Sequence, residues 1–366
     1  MHLYVHVPFC ARRCAYCDFA IAVRRDTPDA AFLAAIRREW AMRWTDDVAR
    51  RHPEIHTIYF GGGTPSRLAP ATIGTLVAEL GGQRAADAEI TLEANPDDIT
   101  AERAHGWADA GITRVSLGVQ SHDPEVLAWM HRTHTAEQVE PAVQLLHDAG
   151  IRDISIDLIF ALPAHLRRDW LRDLDLTLAL DPTHISLYGL TVEPHTPLAR
   201  WAERGEAKPV PDERYAEEYL EAHDLLINAG FEHYEVSNFG RPGHRARHNS
   251  AYWRGVDYLG LGPSAHSLLD GVRRWNVRDW ADYERRLSVG EPIGAGEELL
   301  DADQRRIERL YLGLRTDSGL PVWDLPDAVR AAWAREGWLD LREDRARLTV
   351  EGWLRLDALV AAVAEV

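Results

Sequence analysis

The sequence predicts an α/β protein with a core of parallel strands, a barrel or an open part of one, made of six β-then-α units. Three observations lead there. Short apolar β-type runs alternate with amphipathic helical stretches through the first half of the chain, which calls for parallel strands joined by right-handed crossovers. Gly111, Gly150 and Gly230 fall where helices must end, as a left-handed cap requires. Unusual residues collect after each β-run, where such sheets present their ligand sites.

In order, the expected strands are Leu3–Val7, Thr57–Phe60, Glu89–Glu93, Arg114–Gly118, Asp153–Phe160 and His184–Tyr188. Between them lie helical patterns over Ala30–Trp44, opened by Pro28 and Asp29, then Pro70–Leu80, Ala101–Ala110, Pro124–Met130, Ala136–Ala149 and Arg168–Leu180. Pro209–Gly230 reads as a helix whose acidic face (Asp212, Glu213, Glu217, Glu218, Glu221) is a solvated surface, and Glu232–Phe239 as one further strand. From Asp301 onward, helices Arg305–Leu314 and Pro326–Glu336, a hairpin (Trp338–Leu341 with Ala346–Thr349) and a last helix, Glu351–Ala364, predict a compact winged-helix-like unit. The expected division is 1–200 for the barrel, 201–298 for an extension and linker, and 299–366 for the C-terminal, mainly helical domain.

Composition narrows the function classes. A net charge of −17 over 366 residues disfavours nucleic acid, which needs clustered Lys and Arg. Apolar runs are far shorter than the roughly 20 residues that cross a bilayer. No leader pattern precedes the first strand, so the chain is expected to be cytoplasmic. Most of the 13 Trp sit beside Leu and Ala at helical spacing and are read as packing.

All three cysteines fall within eight residues, Cys10, Cys14 and Cys17, spaced C-x-x-x-C-x-x-C. A loop of that length can turn three sulfurs toward one centre, and soft thiolates suit an iron–sulfur cluster or zinc. Structural zinc needs four protein ligands and would have to borrow His6 or Asp18. A four-iron cubane held by three cysteines leaves one iron free for chemistry. An odd cysteine count argues against a disulfide framework.

The other strand ends carry polar groups with chemical uses. Gly61-Gly62-Gly63-Thr64 lets the backbone approach a ligand or simply makes a tight turn. Glu93 can accept from an ammonium or a ribose. Gln120 and Asp157 interrupt apolar strands and need partners. Arg132 can hold a carboxylate bidentately or serve as an ordinary surface arginine.

Taken together, Tyr4-Val5-His6-Val7-Pro8-Phe9-Cys10, Gly61-Gly62-Gly63-Thr64-Pro65, Leu117-Gly118-Val119-Gln120-Ser121 and Ile156-Asp157-Leu158-Ile159 closely resemble the coproporphyrinogen III oxidase-like branch of the radical S-adenosylmethionine (SAM) enzymes over nearly the full chain. The resemblance implies a partial (β/α)6 radical SAM barrel and a [4Fe-4S] cluster on Cys10, Cys14 and Cys17. It implies SAM contacts at Tyr4, Tyr16, Gly62, Gly63, Thr64 and Glu93. Gln120, Arg132, Asp157 and Thr191 match positions around a second SAM in the oxidase, and His266 matches a further contact position there without being identical.

Two departures separate subfamilies. The oxidase carries C-x-x-x-C-x-x-C-x-C and a long N-terminal extension; this chain has Cys17-Asp18-Phe19 and starts at the first strand. His248-Asn249-Ser250-Ala251-Tyr252-Trp253 is similar to the H-N-x-x-Y-W string of the HemW-type heme chaperones within the same branch. That resemblance implies heme as a bound cofactor or cargo, apo-hemoproteins as recipients, an electron donor, and peripheral contact with a membrane surface. The alternative is oxygen-independent conversion of coproporphyrinogen III to protoporphyrinogen IX. Heme needs an axial ligand and an apolar slot. His248, beside Tyr252 and Trp253, is the candidate ligand; otherwise His248 and Asn249 cap a helix and Trp253 packs inward.

Overall fold

The computed structural model describes residues 1–82 and 84–364. The six expected strands form as β1 (His2–Val7), β2 (Ile55–Gly62), β3 (Arg84–Ala94), β4 (Arg114–Gln120), β5 (Asp153–Phe160) and β6 (His184–Gly189). Each pairs in parallel with the next. Helices Asp29–Arg43, Pro70–Leu80, Ala101–Asp109, Val139–Asp148 and Trp170–Ala179 lie in the crossovers. Gly111, Gly150 and Gly230 all take left-handed backbone, φ 89°, 88° and 88°, after the helices they end.

The period-2 alternation of the strands sorts their side chains into two rows. Leu3, Val5 and Val7 of β1 and Ile58 and Phe60 of β2 join the main apolar core with Phe32, Ile36, Ile73 and Leu76 of the crossover helices. The opposite row is polar and aromatic. His2 bonds Thr57, and Tyr4 stacks on Tyr59 with ring centroids 6.1 Å apart.

The second half of the chain extends this sheet on both sides. It contributes β7 (Glu232–Glu235), β8 (Asn238–Gly240), β9 (Tyr258–Leu261), β10 (His266–Leu269), β11 (Val272–Asn276) and β12 (Gly294–Leu299). The order is β12-β11-β10-β9-β1-β2-β3-β4-β5-β6-β8-β7. A seventh parallel strand, β9, therefore flanks β1 on the side away from β2.

Two expectations need correction. Glu232–Phe239 is not one strand but the antiparallel pair β7 and β8. The turn arises because the Glu235 carboxylate accepts from the Ser237 amide at 3.1 Å and from the Asn238 side chain. Glu218, placed on the solvated acidic face of helix Asp212–Asn228, is buried. Its carboxylate sits 2.8 Å from Arg168 and 2.9 Å from Arg214 and accepts the Ala161 amide at 2.7 Å. A carboxylate with three donors can leave water, whereas its neighbours on the helix cannot.

At the C-terminal end, helices Ala302–Leu314 and Asp327–Arg335, the hairpin Leu339–Arg342 with Arg345–Leu348, and helices Val350–Trp353 and Leu356–Ala364 enclose a separate apolar cluster built on Leu310, Leu314, Trp333, Trp353 and Val360. Arg315 ties this unit to the main sheet. Its guanidinium forms an ion pair with buried Glu235 at 2.8 Å and lies 4.2 Å over the ring of Trp253.

Candidate functional site

One cavity of about 590 Å³ opens at the C-terminal ends of the parallel strands, and twelve of the fifteen predicted site residues line it: Cys10, Cys14, Tyr16, Cys17, Gly62, Gly63, Thr64, Glu93, Gln120, Arg132, Asp157 and Thr191. They arrive there because each strand ends at the same edge of a parallel sheet, so the first residues of successive loops converge.

The cysteine loop is pinned at both ends. Phe9–Cys10 pairs in parallel with Ala22–Val23, and in the middle Ala15 donates its amide to Met130 at 3.0 Å and accepts from Leu198 at 2.9 Å. Hydrogen-bond donors face two of the three sulfurs. The Thr64 hydroxyl is 3.4 Å from Cys10 Sγ, and Arg132 Nη1 is 3.5 Å from Cys14 Sγ. Burial pushes the Cys10 thiol up to about 11, against the Thr64 hydrogen bond, and raises Cys17 as well. A metal that takes these sulfurs must therefore displace protons.

The donor set fits an iron–sulfur cluster. Three thiols ring one cavity, and their polar neighbours donate hydrogen bonds, which stabilise anionic cluster sulfurs. Among the described residues no three Cys, His, Asp or Glu side chains converge on a single-ion site. His6, the residue zinc would borrow, is already committed: Nε2 is 2.9 Å from the Ala20 carbonyl and Nδ1 3.1 Å from the Tyr4 hydroxyl.

The triple glycine does more than turn the chain. Gly62 has φ 111°, and a Cβ there would stand 2.5 Å from the His6 ring; one at Gly63 would stand 2.7 Å from the Pro8 backbone. Only bare backbone fits between β1 and the cavity. The Gly62 amide donates to Glu93 Oε2 at 3.0 Å and the Tyr59 hydroxyl to Oε1 at 2.8 Å. Burial, reinforced by the charge of Asp157, nevertheless raises the Glu93 carboxyl to about 7, against the bonds from Tyr59 and Gly62. Burial also raises Asp157 to about 6, although Ser116 donates to it at 2.9 Å.

Arg132 is not an ordinary surface arginine. Nη2 bonds Asn95 Oδ1 at 2.5 Å and the Gly118 carbonyl at 2.7 Å. Burial works against its charge, yet Tyr16 and Cys14 hold it cationic, above its ordinary value. Gln120 takes φ 69°, a left-handed conformation uncommon for a side-chain-bearing residue, which aims the end of β4 into the cavity.

Three predicted residues lie elsewhere. Tyr4 stands one layer below the cavity floor, against the Cβ position of Gly61. His248 is 1% exposed, with Nδ1 2.6 Å from Thr57 Oγ1 and Nε2 2.9 Å from the Tyr252 hydroxyl, and its ring stacks 5.0 Å from Tyr59. Burial lowers it to about 3 and keeps it neutral. With both nitrogens engaged inside the sheet, His248 is not presented to a ligand. His266 is exposed on β10, stacked 5.7 Å from Trp275. Tyr59 and Ser116, which hold Glu93 and Asp157, had no separate signal beyond their place on strands; Asn95, which holds Arg132, follows the end of β3 directly, where polar residues collect.

The sequence profile of the Radical SAM superfamily matches residues 4–177. The chain is 38% identical over 367 residues to the heme chaperone HemW of Mycobacterium tuberculosis, covering 98% of this chain and 93% of that protein. It is 37% identical to the heme chaperone HemW of Synechocystis over 91% of this chain and 82% of the relative. Against the bovine mitochondrial radical S-adenosyl methionine domain-containing protein 1 the identity is 35%, over 99% and 86%. The solved structure of the Escherichia coli coproporphyrinogen III oxidase HemN superposes with a TM-score of 0.81 at 23% identity, covering 99% of this chain and 89% of that one, which establishes the fold. With the three-thiol cavity, the parallel sheet and near full-length identity above 30% in hand, this chain belongs to the radical SAM superfamily and, within it, to the HemW family.

Proposed function

We propose that the protein is a heme chaperone: it carries a [4Fe-4S] cluster on Cys10, Cys14 and Cys17, binds SAM at the cluster, and takes up heme for delivery to apo-hemoproteins. The observation that carries this reading is the near full-length identity to proteins named heme chaperone HemW, combined with a cavity in which all three thiols face the polar strand ends. The cluster, held by Cys10, Cys14 and Cys17, would supply one-electron chemistry to the bound SAM when reduced.

The chain's own residues then have distinct tasks. Gly62 and Gly63 give the methionine end of SAM close access to backbone, and Glu93 accepts its ammonium. Thr64 and Arg132 orient the Cys10 and Cys14 sulfurs. Gln120, Asp157 and Thr191 face the far side of the same cavity, where the resemblance puts a second SAM, and Tyr4 supports the floor from below. The division into 1–200, 201–298 and 299–366 goes with this reading, the middle segment widening the sheet and the last forming a lid or partner surface.

The chaperone works in the cytoplasm, receives its electron from a separate donor, and meets the membrane peripherally; no helix among the described residues is long and apolar enough to cross it. The test is anaerobic reconstitution with iron and sulfide, followed on the same sample by heme titration and a coproporphyrinogen turnover assay. Heme binding with no porphyrinogen product is expected. Turnover of coproporphyrinogen would replace this reading with the oxidase, and neither heme binding nor turnover would remove both.

A further inference from the structure

We propose that the cargo heme docks on an indole platform beside the cavity, with His131, the platform ring that lines the cavity, as its axial ligand. The inference rests on the heme-chaperone reading and adds the site. Trp129 and Trp201 meet with ring centroids 5.5 Å apart. His131 stands edge-on to Trp201 at 5.3 Å, and His165 edge-on to Trp129 at 5.9 Å. These four rings come from three separate segments, yet form one part-exposed aromatic surface. None of them belongs to the main core.

Beneath the platform lies a small apolar cluster of its own, Val126, Met130, Ile159, Leu162 and Leu166, with Trp129 packed on it. A flat, apolar macrocycle needs such a surface to stack on and one imidazole nitrogen for its iron. His131 meets the second need. It lines the cavity that holds the thiols, and neither ring nitrogen has a hydrogen-bond partner among the described residues. Its backbone is held at φ 59°, a conformation unfavourable for a side-chain-bearing residue and retained where surroundings impose it. His248 has both nitrogens engaged, and His266 stands apart from the cavity.

The cysteine loop itself builds the platform. Ala15, between Cys14 and Cys17, bonds the Met130 carbonyl on one side and the Leu198 amide on the other. The segments bearing His131 and Trp201 are thereby fixed against the cluster loop, and a heme on this platform lies beside it.

The experiment is a ferric heme titration of the full, cluster-reconstituted chain, read by absorbance and electron paramagnetic resonance, with His131→Gly, His165→Ala and Trp201→Leu as variants. Glycine is chosen at 131 because its φ of 59° suits glycine, so the fold should not suffer. Wild type should give a histidine-ligated spectrum. His131→Gly should lose that spectrum and weaken binding roughly tenfold or more, free imidazole should restore the spectrum, and iron content and SAM binding should stay at wild-type values. Trp201→Leu should weaken binding while keeping the ligated spectrum. An unchanged spectrum and affinity in His131→Gly, or loss of ligation only in His165→Ala, overturns the proposal. Absence of heme binding by wild type would instead overturn the chaperone reading on which it stands.

Discussion

Raising the pH from 6 to 8 should tighten SAM binding roughly tenfold, through Glu93 alone. The carboxyl titrates at about 7 because it is buried and faces Asp157, and only its ionised form pairs with an ammonium. The ionised fraction is about one tenth at pH 6 and about nine tenths at pH 8, a difference of ~1.3 kcal/mol in binding. Tyr59→Phe removes the hydroxyl that donates to Oε1 at 2.8 Å. A hydrogen bond to a charged acceptor contributes ~1.5–3 kcal/mol, or about one to two pKa units, so the midpoint should rise to about 8 or above. The same group makes the empty protein pH-sensitive. Because its folded value lies above the unfolded 4.5, the native state binds more protons between those values. The group's stabilising contribution is thus complete below about 4.5 and is lost as pH rises through about 7. With cavity water moderating the burial, the loss should be ~2 kcal/mol. Glu93→Gln should therefore melt higher than wild type at pH 8, match it near pH 4.5, and bind SAM weakly at every pH. Equilibrium dialysis of reconstituted protein across pH 6–8, paired with thermal melts, measures both effects. Equal affinity at pH 6 and 8, or an unmoved midpoint in Tyr59→Phe, would refute the reasoning.

Other perturbations test separate parts of the structure. Gly62→Ala puts a methyl group 2.5 Å from the His6 ring at φ 111°, and should cost ~2 kcal/mol or more in a denaturant titration with SAM affinity falling alongside. Arg168→Met strips buried Glu218 of its closer partner and should destabilise by ~3–5 kcal/mol; the double change with Glu218→Gln should recover part of that, and no recovery would rule out charge burial as the cause. Arg315→Met leaves Glu235 unneutralised and Trp253 uncovered, so limited proteolysis should cut between the main sheet and residues 302–364 faster than in wild type.

Much of the fold is legible in the sequence. Short apolar β-type runs set between helical patterns located six of the seven parallel strands, because a strand buried on both faces reads as an apolar run, and Pro70 and Leu80 bound their helix as expected. The cluster loop was legible for the same reason: its spacing is local. What the sequence hid was long-range pairing. Strand β9 has only four residues, the antiparallel β11 and β12 are largely exposed and so show no apolar run, and nothing near Tyr258 says that its partner is His2. His248 misled because a His beside Tyr and Trp looks like a ligand until Thr57 and Tyr252 are found on its two nitrogens. Glu218 reads as surface on a helical wheel, and only Arg168, fifty residues away, takes it out of water. Arg132 was named for a ligand's carboxylate, yet its partners here are Asn95, Gly118 and Cys14.

Strand β1 leads into the thiol loop, and one of its two neighbours is β9, at residues 258–261. During synthesis at ~5–20 residues per second, that neighbour arrives roughly 10–50 s after the amino terminus has emerged. Until then the strand beside the thiols offers a bare row of amides and carbonyls, open to mispairing, and Gly262, which donates its amide to Glu39, has not yet been added. Chains truncated before residue 258 lack this neighbour and should accumulate as thiol-bearing, aggregation-prone fragments.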